Sequence, residues 1–140
     1  MKAQLRAWWR SHFGPFTLGE QGERLAARQL RRQGYKIITL RHRLRYGEFD
    51  VIAVDGETIV FVEVKTRRGP QLARPATAVD AQRRQRMTRA ALAYMKSHDL
   101  LDYPARFDIV EVLWPDGPGQ PQIAHHKAAF RAEGRGQFFR

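Results

Sequence analysis

The chain has 140 residues, 43% of them hydrophobic, and its 25 Lys and Arg against 14 Asp and Glu give a net charge of +11. This length supports one domain with a hydrophobic core, and no apolar run approaches the roughly 20 residues that cross a bilayer, which excludes a membrane-spanning protein. Cysteine is absent, which excludes disulfide scaffolds, thiolate metal sites and cysteine nucleophiles. The N-terminal segment lacks the apolar core of a secretory signal, so we expect a cytoplasmic protein.

Residues 1–16 are basic and aromatic but show neither a helical nor a strand period. We interpret them as an N-terminal arm outside the main domain. Trp8, Trp9, Phe13 and Phe16 could dock on the domain, stack on bases or contact a membrane surface, and we favour docking.

A helix is predicted from Thr17 to about Gln33. Thr17 and Glu20 form a capping box, in which each residue satisfies an unpaired backbone N–H of the other. Gly34 suits the left-handed conformation in which many helices end. Glu23 lies on the edge of the predicted buried face, where an unpaired carboxylate is costly.

Three strands are predicted next, Tyr35–Leu40, Glu48–Val54 and Glu57–Lys65. Asp55-Gly56 separates the last two, and this dipeptide favours a type I′ hairpin turn. Both faces of the hairpin are apolar near the turn, so we expect it inside the sheet, covered on both sides.

This turn predicts a register in which Ile52 faces Ile59 and Asp50 faces Phe61. Alternation along the strands then places one set of side chains on a common face, namely Glu48, Asp50, Ile52, Ile59, Phe61, Glu63 and Lys65. The opposite face carries Phe49, Val51, Ala53, Val60, Val62 and Val64.

The C-terminal half begins with a predicted loop over residues 66–79 and a helix over residues 80–97. Arg83 and Arg84 lie one turn before Met87 on the apolar stripe of this helix, so at least one should point toward the sheet. A strand over Arg106–Val112 and a short strand near Ile123 follow. Residues 133–140 are predicted to be a flexible tail, which leaves 17–132 as the domain.

Charge is segregated along the chain. Residues 47–65 carry five acidic and one basic side chain, whereas residues 66–98 carry eight basic and one acidic. This pattern favours a polyanion, such as a nucleic acid, bound by the basic segments and a cation held in the centre. The alternatives are Arg-rich faces that only keep the protein soluble, and attraction to anionic lipid.

Asp50, Glu63 and Lys65 are the candidate catalytic residues. In the predicted register the two carboxylates are diagonal neighbours, about 7 to 8 Å apart at the backbone, and could share one Mg²⁺ ion. Lys65 could orient a water molecule or neutralise charge on a phosphate. The alternative is a structural ion pair between Glu63 and Lys65, but repeated charge in an apolar hairpin is expensive without a function.

Several segments together resemble one family. They are Gly19-Glu20-Gln21-Gly22-Glu23, Gly47-Glu48-Phe49-Asp50-Val51-Ile52-Ala53, Phe61-Val62-Glu63-Val64-Lys65 and Arg106-Phe107-Asp108-Ile109-Val110. From about residue 17 to 130 the chain resembles the YraN-like bacterial proteins, whose motifs are similar to those of the PD-(D/E)-x-K nucleases, including archaeal Holliday-junction resolvases. The resemblance implies a restriction-endonuclease-like α/β fold, with a central mixed β-sheet flanked by helices.

The resemblance also implies roles for individual residues. Asp50, Glu63 and Lys65 match the catalytic set, and Glu23 matches a helix glutamate that completes the metal site with Asp50 and Glu63. Where such sequences usually have Lys early in the second helix, this chain has Arg83, which can still hold a phosphate.

We therefore predict an endonuclease that depends on Mg²⁺ or Mn²⁺ and acts on DNA, with branched DNA and RNA as further candidate substrates. Arg67, Arg68, Arg83 and Arg84 are candidates for binding backbone phosphates. A junction-cutting enzyme would be a homodimer. The rival hypotheses are a non-catalytic nucleic-acid-binding module with the same fold, and a basic protein held on anionic membranes by residues 1–16.

Overall fold

The computed structural model describes residues 17–44, 47–69 and 80–130. Five strands form one sheet in the order β1-β2-β3-β4-β5. They are Lys36–Leu44 (β1), Gly47–Asp55 (β2), Thr58–Arg68 (β3), Ala105–Trp114 (β4) and Gln122–Phe130 (β5), and the helices are Leu18–Arg32 (α1) and Ala81–Ser97 (α2). Strands β3 and β4 are parallel and the other neighbours are antiparallel. This confirms the predicted α/β fold with a mixed sheet, while the predicted arm 1–16 and tail 133–140 lie outside the described residues.

The ends of α1 follow from its sequence. The Thr17 hydroxyl accepts a hydrogen bond from the Glu20 N–H at 3.1 Å, and Gly34 has a φ of +94°. The Gly34 N–H donates to the Arg31 carbonyl and the Tyr35 N–H to the Leu30 carbonyl, both at 3.0 Å. These two bonds form a Schellman motif, so the chain leaves α1 and enters β1 with Tyr35 already in the core.

Each face of the sheet carries its own core cluster, which confirms that the β2–β3 hairpin is covered on both sides. One cluster joins α1 to the sheet and includes Ala26, Leu30, Val51, Val60, Val62, Val110 and Val112. The other joins α2 to the opposite face and includes Met87, Ala91, Tyr94, Met95, Ile52, Phe61 and Phe107. No helix in the described ranges is long and apolar enough to cross a membrane.

The turn between β2 and β3 is not the predicted one. Asp55 pairs with Thr58, so the two loop residues are Gly56 and Glu57 instead of Asp55 and Gly56. Gly56 has a φ of +63° and Glu57 has a negative φ, which is the pattern of a type II′ turn. The type I′ turn would require a positive φ at Asp55 as well, whereas this turn requires it only at glycine.

The predicted hairpin register is therefore wrong by two residues. Ile52 pairs with Phe61, not with Ile59, and Asp50 does not face Phe61. A shift by an even number of residues preserves the faces of the paired side chains. Val51, Ala53, Val60 and Val62 accordingly lie on one face and Ile52, Ile59 and Phe61 on the other, as predicted. Phe49 is the exception, because it packs with Ile52 and Phe61 on the α2 face. Phe49 lies beyond Val51–Val62, the last β2–β3 pair, so pairing to β3 does not constrain its orientation.

Strand β1 continues to Leu44, beyond its predicted end at Leu40. Strands β3 and β5 are also longer than predicted, because β4 pairs with both. On one side β4 pairs with β3 as far as Arg68, in a segment predicted to be loop from residue 66. On the other side it pairs with β5, which has nine residues where only a short strand near Ile123 was predicted.

Candidate active site

Asp50 and Glu63 lie next to each other at the end of the β2–β3 pairing. The last backbone pair is Val51–Val62, and these two acids are the next residue on each strand. Continuing this register places the two acids opposite each other, instead of in the predicted diagonal arrangement. Oδ2 of Asp50 accepts a hydrogen bond from the Val64 N–H at 2.7 Å, which ties this carboxylate to the β3 backbone immediately beyond Glu63.

Glu63 is buried, with 8% of its surface exposed, and it is paired with Arg83 of α2. Nε of Arg83 donates to Oε2 of Glu63 at 3.2 Å, and Nη2 of Arg83 donates to Oε1. The Arg83 N–H in turn donates to the side chain of the N-cap residue Asp80 at 2.8 Å. This confirms the prediction that one of the two arginines points toward the sheet. A forked, charged contact supplies the opposite charge that a buried carboxylate requires.

Lys65 lies two residues beyond Glu63 and, by strand alternation, on the same face of β3. It is partly buried, and its parallel partner on β4 is Glu111. Glu111 is also buried, with 8% of its surface exposed. Glu111 was not predicted to belong to the site, because its position beside Lys65 depends on the β3–β4 register.

Glu23 lies on α1, the helix that packs on the opposite face of the sheet from α2. The preceding residue, Gly22, is buried against Thr66, and a Cβ atom at Gly22 would clash with the Thr66 hydroxyl. Glu23 itself is partly buried. No three His, Asp or Glu side chains in the described ranges are close enough to share a metal ion. The structure therefore does not bring Glu23, Asp50 and Glu63 together as a three-ligand set, and the role of Glu23 stays a prediction.

The candidate phosphate-binding arginines lie around this end of the sheet. Arg67 and Arg68 close β3, where they pair with Leu113 and Trp114 of β4. Arg68 is exposed, and Arg67 and Arg84 are partly buried. Contact with phosphate stays a prediction for all of them, as it does for Arg83, whose guanidinium contacts Glu63 in this structure.

The donor atoms of Asp50 and Glu63 suit a hard divalent cation. Mg²⁺ is often bound through one or two carboxylates and several waters. Two carboxylates are therefore enough protein ligands for a Mg²⁺ site. Both oxygens of Glu63 accept hydrogen bonds from Arg83, so a cation bound to Glu63 would either share these oxygens with the guanidinium or replace it. The residue types fit Mg²⁺ or Mn²⁺, and Arg83 occupies the ligand atoms of one of them.

A second group of charged residues, which sequence analysis missed, lies on the α1 face of β4. Asp108 is fully buried at 0% exposure. It accepts hydrogen bonds from Nε of Arg106 at 3.0 Å, from Nε2 of His125 at 2.7 Å and from the Ala128 N–H at 3.0 Å. Burial alone would raise the pKa of Asp108, but the hydrogen bonds from His125, Arg106 and Ala128 outweigh it and leave the pKa below its ordinary value.

The partners of Asp108 extend this group across the domain. Arg106 also donates to Oδ2 of Asp55 at 3.1 Å and to the Tyr35 hydroxyl at 2.6 Å. Nδ1 of His125 lies 2.9 Å from Oε1 of Gln33. The group thus connects the end of α1, the β2–β3 turn, β4 and β5. The available signal in the sequence is an acid in the middle of the apolar strand Phe107-Asp108-Ile109-Val110.

Comparison with known proteins places the whole candidate site in one family. The family described as "Uncharacterised protein family UPF0102" matches residues 22–112, which include Glu23, Asp50, Glu63 and Lys65. The chain is 49% identical over 114 residues to a UPF0102 protein of Nocardia farcinica, covering 81% of this chain and 89% of that protein. It is 40% identical over 144 residues to a UPF0102 protein of Rhodopirellula baltica, covering 97% and 86%. These matches confirm the resemblance found in the sequence, and the chain belongs to the UPF0102 family.

Proposed function

We propose that the protein is a metal-dependent phosphodiesterase that cleaves DNA, with Mg²⁺ or Mn²⁺ as its cofactor. The observation that carries this proposal is the adjacency of Asp50 and Glu63 at the end of the β2–β3 pairing, with Lys65 next on the same face of β3. These are the positions at which the chain resembles the PD-(D/E)-x-K nucleases. Charged side chains within an apolar sheet oppose folding, which supports a role other than stability.

The charge distribution supports a nucleic acid as the substrate. The net charge is +11, and Arg67 and Arg68 extend β3 beyond Lys65. Arginines at this edge would hold backbone phosphates, which orients a nucleic acid without reading its sequence.

In this mechanism Asp50 and Glu63 would hold the metal ion. A bound divalent ion supplies Lewis-acid stabilisation of the phosphate charge and promotes the ionisation of water. The hydrogen bond from the Val64 N–H keeps the Asp50 carboxylate in one orientation. Lys65 would position the attacking water or neutralise the negative charge that develops on the phosphate.

A non-catalytic nucleic-acid-binding module is the second candidate function. The contact between Arg83 and Glu63 favours it, because a buried carboxylate with a forked Arg partner has a complete structural role without a metal. In such a module Glu63 would hold the start of α2 against the sheet, and only the basic residues would contact DNA.

Cleavage assays separate the two candidates. Labelled duplex, single-stranded, flap and four-way-junction DNA, with matched RNA, are incubated with Mg²⁺, Mn²⁺ or chelator. We expect metal-dependent cleavage that is lost in Asp50→Asn and in Lys65→Ala. Glu57→Gln is the control, since it removes a carboxylate from the exposed turn of the same hairpin. Binding without cleavage in every lane would support the module.

A preference for junctions would have a further consequence. Symmetrical cutting of two strands needs two active sites, which a homodimer supplies. Sedimentation of the protein with a four-way junction would then show two copies per junction.

A further inference from the structure

We propose that Arg83 is a built-in counter-ion that holds Glu63 in the free protein and that a divalent cation must displace. We further propose that a nucleic-acid phosphate receives the Arg83 guanidinium when it leaves Glu63. The proposal rests on the proposed function, since it describes how the same site changes from its free to its loaded form.

Glu63 is much more deeply buried than Arg83. The side chain of Glu63 is 10% exposed and that of Arg83 is 48% exposed. A carboxylate buried to this extent needs a cation beside it. Arg83 supplies that charge here, and it contacts both oxygens through Nε and Nη2. A metal ion and this guanidinium would therefore compete for the same atoms.

Arg83 is freer to move than Glu63. Glu63 pairs with Ile109 of β4 and its side chain is only 10% exposed, so its carboxylate has little freedom. Arg83 lies in the first turn of α2, where its backbone N–H is held by Asp80. Its long, half-exposed side chain can turn toward solvent while the helix stays in place, so Arg83 is the mobile partner.

A phosphate can receive the Arg83 guanidinium after it leaves Glu63. A guanidinium binds phosphate through the same forked geometry that it uses with a carboxylate. DNA would therefore favour the conformation in which Arg83 has left Glu63, and that conformation binds the metal. Metal and DNA should each raise the affinity of the protein for the other by the same factor.

The first experiment is a calorimetric titration of Mn²⁺ into the protein without DNA. We expect Arg83→Gln to bind Mn²⁺ about tenfold more tightly than the wild type, within the range usual for coupled sites. Arg83→Lys should lie between them, because lysine keeps the charge but cannot form the forked contact. Arg86→Gln is the matched control: it removes the same charge from an exposed position on α2 and should leave Mn²⁺ affinity unchanged.

A second titration measures the coupling to DNA. In a Lys65→Ala background, which should leave the DNA intact, a saturating short duplex should raise Mn²⁺ affinity by about fivefold or more. Adding Arg83→Gln should abolish that increase. Circular dichroism checks that each variant is folded, and Arg83→Lys decides the question if Arg83→Gln does not fold.

Each outcome decides the proposal. Equal or weaker Mn²⁺ binding by a folded Arg83→Gln protein overturns the competition, while metal-dependent cleavage by the wild type would leave the proposed function standing. If DNA still raises Mn²⁺ affinity in the protein that lacks Arg83, the proposed transfer of the guanidinium to a phosphate is wrong. If no form binds Mn²⁺, with or without DNA, both this proposal and the proposed function fail.

Discussion

Replacing Asp108 with Asn should be among the most destabilising single changes in the described part of the chain. The carboxylate has 0% exposure and accepts hydrogen bonds from Arg106, His125 and the Ala128 N–H. Removing one member of a buried ion pair costs about 3 to 5 kcal/mol, a large part of the roughly 5 to 15 kcal/mol by which domains are stable. For a domain of this size we expect the melting temperature to fall by roughly 10 °C.

Asp55→Asn provides the matched control. Asp55 contacts the same Arg106 guanidinium at 3.1 Å, but its side chain is 39% exposed. Such pairs contribute about 1 kcal/mol or less. Urea unfolding at pH 7 should therefore separate the two variants clearly. A loss in Asp108→Asn no larger than that in Asp55→Asn would refute the idea that the buried charge organises this group.

The pH dependence gives an independent check. The hydrogen bonds lower the pKa of Asp108 in the folded state, so its stabilising contribution is complete above its unfolded pKa of about 4. The contribution is lost as the pH falls through the lowered folded value. The difference in unfolding free energy between the wild type and Asp108→Asn should thus shrink as the pH falls below about pH 4. If the difference in unfolding free energy did not shrink at low pH, the Asp108 charge would not be the source of the stabilisation.

Three further predictions concern packing and the proposed site. Gly22→Ala should lower the free energy of unfolding by about 1 to 3 kcal/mol through overpacking, because the added Cβ would meet the Thr66 hydroxyl. Thermal unfolding should show that adding Thr66→Ala restores stability. Gly19→Ala should change the melting temperature little, because the nearest atom to its Cβ lies 3.9 Å away. Glu63→Ala should lose cleavage while its metal-free DNA binding, measured by anisotropy, stays the same or tightens. Lys65→Ala should also lose cleavage but keep Mn²⁺ binding, measured by calorimetry. If Glu63→Ala weakens metal-free binding as much as Lys65→Ala does, Glu63 has a structural role and its assignment to the catalytic site fails. Affinity for duplex DNA should fall steeply between roughly 50 and 200 mM salt, and a flat profile would contradict a phosphate-dominated interface.

Local sequence signals predicted the structure correctly where the interactions that determine it join residues close together in the chain. The cap at Thr17 and the left-handed Gly34 each depend on contacts within a few residues, and both were predictable. Side-chain alternation likewise placed Glu63 and Phe61 on a common face of β3, because period-two geometry belongs to the strand itself. The spacing of acids and lysine on β2 and β3 could therefore be read as a candidate site.

The tertiary structure decided what depends on distant partners. Two adjacent placements of the β2–β3 turn were compatible with Asp55-Gly56-Glu57, and the pairing of whole strands selected the one in which only Gly56 needs a positive φ. The contact between Glu63 and Arg83 joins residues on β3 and α2, and the hydrogen bond between His125 and Asp108 joins β5 to β4. Electrostatic partners are chosen by proximity in space, and only the packing of α2 on the sheet and the order of the strands bring these charges together.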